Sequence, residues 1–254
     1  EQGMPMRRYV VALDGSSAAQ AAWRWARRRA ETDGAACVLV HAAGESDHDS
    51  GPWPVGTVQL PSRAPEALAR FVEHDDLLVI GTGKTGFVHG RLLGFTGVRI
   101  VAAAACTVVV VPELDLRFRS GVVVGVDRIE TAAETAAVAA TEAARRLEPI
   151  QVIRASGGEV DRRPGDVATA AEIAERVIRT GWPQLSVRTR VATRSFSAAL
   201  LDAAATASLL VLDPGLSYAS REGALPGAVA LDVLVNATAP VLVLRSHDGD
   251  AGVR

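Results

Sequence analysis

Lysine is almost absent from this chain: of 27 basic residues only Lys84 is a lysine, and the rest are arginine. Aromatic residues make up 4% of the 254, too few for the stacking platforms that hold single-stranded nucleic acid. Two cysteines cannot build a disulfide scaffold. Neither sign of charge dominates, with 27 basic residues against 29 acidic and a net charge of −2. Without a positive field or a polybasic block, a nucleic-acid partner is not expected. No apolar run reaches the roughly 20 residues of a membrane-spanning helix. The longest, Ile100 to Val111, stops at Pro112. After Arg7-Arg8 the apolar run 9–13 is cut by Asp14, which does not make a secretion signal. Glu1-Gln2-Gly3, ahead of Met4, reads as an expression remnant. The expectation is a soluble cytoplasmic protein with no membrane partner.

What the chain does have is an ordinary globular composition, 48% hydrophobic and 22% charged, and an internal repeat. Tyr9-Val-Val-Ala-Leu-Asp14 recurs 113 residues later as Val122-Val-Val-Gly-Val-Asp127. Asp76-Leu-Leu-Val-Ile-Gly81 recurs 132 residues later as Ser208-Leu-Leu-Val-Leu-Asp213. Cys106-Thr-Val-Val-Val-Val111 recurs 133 residues later as Ala239-Pro-Val-Leu-Val-Leu244. The spacing predicts two copies of one domain, over 4–116 and 120–246, with a boundary near 117–120. The growth in offset equals one helix and a turn, gained in the second copy or lost from the first, where the segment 43–60 is short.

Each copy alternates strand and helix. The first copy reads as strand 9–13, helix 18–32, strand 37–42, a weak strand 55–60, helix 65–73, strand 77–80, helix 92–105 and strand 107–111. The second reads as strand 121–126, helix 131–147, strand 150–154, helix 165–180, strand 185–192, helix 196–207, strand 209–213, helix 224–237 and strand 240–244. Ser16 or Ser17 suits the N-cap of the first helix. The strands are continuous Val/Leu/Ile runs, the pattern of a parallel sheet covered on both faces. The fold class is therefore α/β, as two tandem doubly wound parallel sheets. A ligand of such a sheet sits outside the carboxyl ends of its strands. That places the candidate site in the loops after Leu13, Val40 and Ile80.

Those loops hold the polar and glycine residues. One is Asp14-Gly15-Ser16; another runs from Gly81 through Gly83, Lys84, Gly86 and Gly94 to Phe95 and Thr96. Glycines let backbone N–H groups approach an anion, and a helix N-terminus favours it. A Walker A loop is excluded, because that motif needs glycine where Leu78 stands. The spacing Gly81-x-Gly83-x-x-Gly86 follows a late strand and lacks the acidic residue a dinucleotide site requires. Glu45, Asp47, His48 and Asp49 read as an acidic loop before they read as metal ligands. Cys37 and Cys106 read as small buried apolar residues, and His89 as an exposed loop residue. Trp23 reads as core and Trp25 as an interface residue. Arg27-Arg28-Arg29 and Arg145-Arg146 fall near equivalent helix ends, where cations offset the helix dipole. No nucleophile has an evident base partner, so an enzyme is not expected.

The strand-Asp-Gly-Ser start at Val10 to Ser16, the alanine-rich helix with Trp25-Ala26, the glycine loop and the closing Ala104-Ala-Cys106-Thr-Val-Val-Val-Val together resemble the universal stress protein family in its tandem form. The resemblance covers nearly the whole chain. It implies Rossmann-like, adenine nucleotide alpha hydrolase-like domains that form a pseudo-dimer through strands 107–111 and 240–244. It implies a stress-response regulator that binds ATP, with Mg, or AMP; a homodimer of the whole chain is a further option. Many members bind ATP or AMP through a G-x2-G-x9-G-[S/T] loop, and others lack the loop and bind none. Here Gly81 and Gly94 keep the first and third glycines, Lys84 stands at the second, and Phe95 at the hydroxyl position, with Thr96 one residue late. The adenosine contacts fall on Ala12, Asp14, Gly15, Ser16, His41 and Ala42, and the phosphate loop adds Gly83 and Gly86. The second copy has Asp127-Arg-Ile for Asp-Gly-Ser and retains only Gly227 of the loop glycines. Asp213 there would repel a phosphate. The rival readings are an interaction module of the same family that binds no nucleotide, and a binder of another small anionic or apolar ligand.

Overall fold

Apolar runs that cannot alternate faces form strands buried on both sides, and alanine-rich segments form the helices laid over them. The structure, a computed structural model, describes residues 8–42, 54–61, 64–83, 95–155, 169–212 and 227–245. The first half runs β1 (Arg8–Leu13), α1 (Ser17–Asp33), β2 (Ala36–Ala42), β3 (Val58–Leu60), α2 (Ala64–Phe71), β4 (Leu77–Thr82), α3 (Phe95–Ala103), β5 (Thr107–Pro112). The second runs β6 (Val122–Val126), α4 (Ile129–Arg146), β7 (Ile150–Arg154), α5 (Ala170–Gly181), β8 (Val187–Val191), α6 (Phe196–Ala204), β9 (Leu209–Leu212), α7 (Ala228–Asn236), β10 (Val241–Val243). No helix among the described residues is long and apolar enough to cross a membrane.

All ten strands join one sheet in the order β3-β2-β1-β4-β5-β10-β9-β6-β7-β8. Every neighbouring pair is parallel except β5 and β10, which run antiparallel with Val109 opposite Leu242. Val109 and Leu242 are the same position of the repeat, so a pseudo-twofold axis passes between them. The pairing removes the open edge that β5 and β10 would otherwise each expose. One face is covered by α1, α4 and α5, whose alanines pack on Val11, Val79, Val124 and Val211. The other face carries α2, α3, α6 and α7 over Leu78, Val110, Leu210 and Val243.

The halves differ where the sequence offset grows. Helix α5 lies between β7 and β8, whereas no helix lies between β2 and β3 among the described residues. The chain between β2 and β3, at one edge of the sheet, is correspondingly shorter than that between β7 and β8. Two expectations are corrected. Cys37, read as buried, is half-buried, and Trp23, read as core, is only partly covered.

Alanine governs how closely α1 approaches the sheet. It buries Ala18, Ala19, Ala22, Ala26 and Ala30 in a stripe of small side chains. Its N-terminal turn lies so near β4 that a Cβ on Gly81 would stand 2.3 Å from the carbonyl carbon of Ala18. At its other end Gly34 closes the helix in the left-handed conformation, at φ +65°. The matching residue of α4 is Leu147, which takes the same conformation at φ +55°.

Candidate functional site

In each half, the crevice between the central strand and its neighbour across the order reversal is where doubly wound sheets hold ligands. In the first half that crevice lies beyond the carboxyl ends of β1 and β4. Gly15, at φ +82°, turns the chain sharply out of β1. Asp14 Oδ1 accepts from Ser16 N at 3.0 Å and from Ser16 Oγ at 2.6 Å. Ser16 Oγ in turn accepts from Ala19 N at 3.1 Å, so Ser16, not Ser17, is the N-cap of α1. Asp14 and Gly15 are exposed, and the first turn of α1 contains no acidic residue. An exposed carboxylate thus stands beside a helix N-terminus whose dipole favours an anion.

The other expected residues divide into three groups. Gly81 lies at this crevice, but its missing side chain is already required by the contact with Ala18 and Ala19. Gly83 is exposed, and a Cβ there would meet nothing within 4 Å. Phe95 and Thr96 open α3, with Thr96 exposed. Lys84, Gly86 and Gly94 lie outside the described residues, as do His89, Asp213 and the acidic group of Glu45, Asp47, His48 and Asp49. Among the described residues no cluster of side chains could hold a metal ion.

His41 lies near the carboxyl end of β2. Its ring is buried, and Nδ1 lies 2.9 Å from the Leu13 carbonyl oxygen. A carbonyl only accepts, so Nδ1 carries the proton and donates. Leu13 and His41 are register partners of β1 and β2, and this bond ties the two strand ends together directly behind Asp14. Ala12 and Ala42 are partly buried against the α2–α3 side of the core.

The second half lacks this turn. Asp127 is exposed, and Arg128, the N-cap residue of α4, makes no side-chain capping bond. Gly227 precedes α7 at φ −58°, a conformation open to any residue.

A second polar assembly lies on the pseudo-twofold axis. Arg29 of α1 and Glu142 of α4 form a buried bidentate pair. The reading of the arginines as dipole partners is corrected for Arg27, Arg28 and Arg29, since the last turn of α1 holds no basic residue. Arg145 and Arg146 do lie in the last turn of α4, where Arg146 Nη1 donates to the Glu142 carbonyl at 2.9 Å and to its carboxylate at 2.6 Å. Arg29 Nε donates to the Tyr9 hydroxyl at 2.8 Å, and that hydroxyl donates to Asp33. Arg145 closes the network on Asp33 at 2.9 Å. Burial alone would raise the Glu142 pKa, but Arg29 and then Arg146 overcome it and hold the group at about 2. Burial pushes the Tyr9 hydroxyl up to about 12. The sequence reading did not find this pair; its only trace is that positions 29 and 142 are equivalent in the repeat.

No family model matches the chain. Universal stress proteins from two strains of Mycobacterium tuberculosis are each 28% identical to it over an alignment of 284 residues, spanning 93% of this chain and 95% of theirs. In fold, a universal stress protein of Archaeoglobus fulgidus aligns over 95% of this chain and 97% of its own, with a TM-score of 0.64 and 14% identity. A protein of unknown function from Pseudomonas aeruginosa aligns over 94% and 92%, with a TM-score of 0.62 and 16% identity. This chain is a relative of the universal stress proteins. The match to the stress proteins of M. tuberculosis runs through both halves of the repeat and of the ten-stranded sheet.

Proposed function

We propose that this universal stress protein relative is a cytoplasmic stress-response regulator that binds an adenine nucleotide, ATP with Mg or AMP, in its first half and acts through binding rather than turnover. The observation that carries the reading is the Asp14-Gly15-Ser16 turn at the β1–β4 crevice. Asp14 spends Oδ1 inside the turn, which leaves Oδ2 for a donor such as a ribose hydroxyl. The capped first turn of α1 and the exposed Gly83 border the space for phosphates, and Lys84 is the cation closest in sequence. The second half, without the turn, serves as a structural partner. Free Cys37 and Cys106 suit a reducing compartment.

The test is thermal unfolding of wild type, Asp14→Ala and Lys84→Ala with AMP and with ATP·Mg. A ligand at 100 times its Kd stabilises by about 2.7 kcal/mol. The expected result is a shift with both nucleotides that Asp14→Ala abolishes and Lys84→Ala weakens, more for ATP than for AMP. No shift with either nucleotide supports the family interaction module that binds none.

A further inference from the structure

A cavity of about 770 Å³ opens on the α1 side of the sheet, away from the β1–β4 crevice. It is bounded by the exposed flank of α1, by the segment 113–120 that joins β5 to β6, and by the last turn of α4. Its size is that of a small-molecule site, roughly 300–1,000 Å³. Its chemistry is unusual for a chain of net charge −2: seven arginines line it against the carboxylates of Asp33, Glu113, Asp115 and Glu148.

The state of those arginines separates a built site from a solvated surface. Arg29, Arg145 and Arg146 are held by the axial network, and Arg117 is paired with Asp115. Arg119 binds the Ala204 carbonyl and the Thr238 hydroxyl. The guanidinium groups of Arg24 and Arg28 have no partner among the described residues. They lie one helical turn apart on α1, so both reach the same space. Between them in sequence, Trp25 is half-buried, with the Arg29 guanidinium 5.2 Å from its ring centroid. Glu142 is shared by Arg29, Arg145 and Arg146, so the wall behind the cavity is itself short of negative charge.

We propose that this cavity binds a short polyphosphate, with Arg24 and Arg28 engaging it and the fixed guanidiniums of Arg145 and Arg146 completing the positive wall. Forked guanidinium donors match phosphate oxygens in pairs, and arginine stays charged at any working pH. A di- or triphosphate concentrates several charges within the space the cavity offers. Glu113 and Asp115 also line the cavity, which disfavours an extended polyanion. Bound phosphate would lie between α1 and the connecting segment, and so would brace the junction of the two halves.

The test is calorimetric titration of the full chain with sodium tripolyphosphate at constant ionic strength, with sodium sulfate as control. Wild type is expected to bind with quenching of tryptophan emission. Arg24→Ala/Arg28→Ala, two exposed positions, should weaken binding at least tenfold with unchanged circular dichroism. Asp14→Ala should leave it intact, and Trp25→Phe should remove the quenching while retaining the heat. Absence of binding, equal binding of sulfate, or equal binding by the arginine variant overturns the proposal. Loss in Asp14→Ala with retention in the arginine variant also overturns it, and moves the anion to the β1–β4 crevice. Failure of AMP to bind at that crevice leaves these outcomes unaffected.

Discussion

Two equivalent residues end equivalent helices in the same left-handed conformation, but only one of them is glycine. Gly34 adopts φ +65° without a Cβ penalty, whereas Leu147 adopts φ +55° with one and remains 91% exposed. A non-glycine residue in this region costs roughly 1–2 kcal/mol, and the exposed leucine side chain recovers little by packing. Leu147→Gly is therefore expected to stabilise the protein by about 1 kcal/mol, read as a higher midpoint in urea with an unchanged slope. The same scale explains why Gly81 is a poor marker of a ligand loop. Its motif position and its contact with the Ala18 backbone both demand glycine, and a sequence cannot separate the two demands.

Among the elements, the strands that carry the two cysteines differ in cover. Cys37 on β2 is half-buried, while Cys106, at the start of β5, is 2% exposed and pushed by burial up to about 12. The expected outcome with a thiol reagent at pH 8 is one thiol labelled in the native protein and two in denaturant. Two native thiols, or none, would contradict the described packing. Burial also raises the Cys37 pKa, so its labelling should accelerate with pH. Most elements were legible in the sequence because two-sided burial writes itself as uninterrupted Val/Leu/Ile runs. Boundaries failed where turns intervene: the strand expected over 55–60 begins at Val58, because Thr57 N donates to the Pro54 carbonyl in a turn. The Asp14 turn was legible from three adjacent residues. The depth of His41 was not, since it depends on register with Leu13.

For the whole molecule, the dependence of stability on pH has a source where the halves meet. The Glu142 carboxyl sits at about 2, below its ordinary 4.5, and thus contributes stability that is full above pH 4.5 and is lost as pH falls toward 2. The loss is on the order of 3 kcal/mol. Glu142→Ala would leave Arg29 buried with less counter-charge, costing roughly 3–5 kcal/mol at pH 7 and flattening the acid limb. Urea unfolding between pH 2 and 7 measures both, and an unchanged acid limb in Glu142→Ala would refute the assignment. The pair escaped the sequence reading because each partner sits on its own helix, 113 residues apart, and only the axis brings them together.

An assembly of identical subunits must place the same residue on both sides of its twofold axis. Arg29 and Glu142 are the same repeat position, yet here one is a cation and the other an anion. Halves that differ in sequence, as two fused copies can, are able to place different residues at mirrored positions. Each half therefore carries half of a password. A copy of the first half would meet arginine with arginine, a copy of the second glutamate with glutamate, and both would be refused in the dry centre of the junction. Fusion has turned a symmetric handshake into a monogamous one.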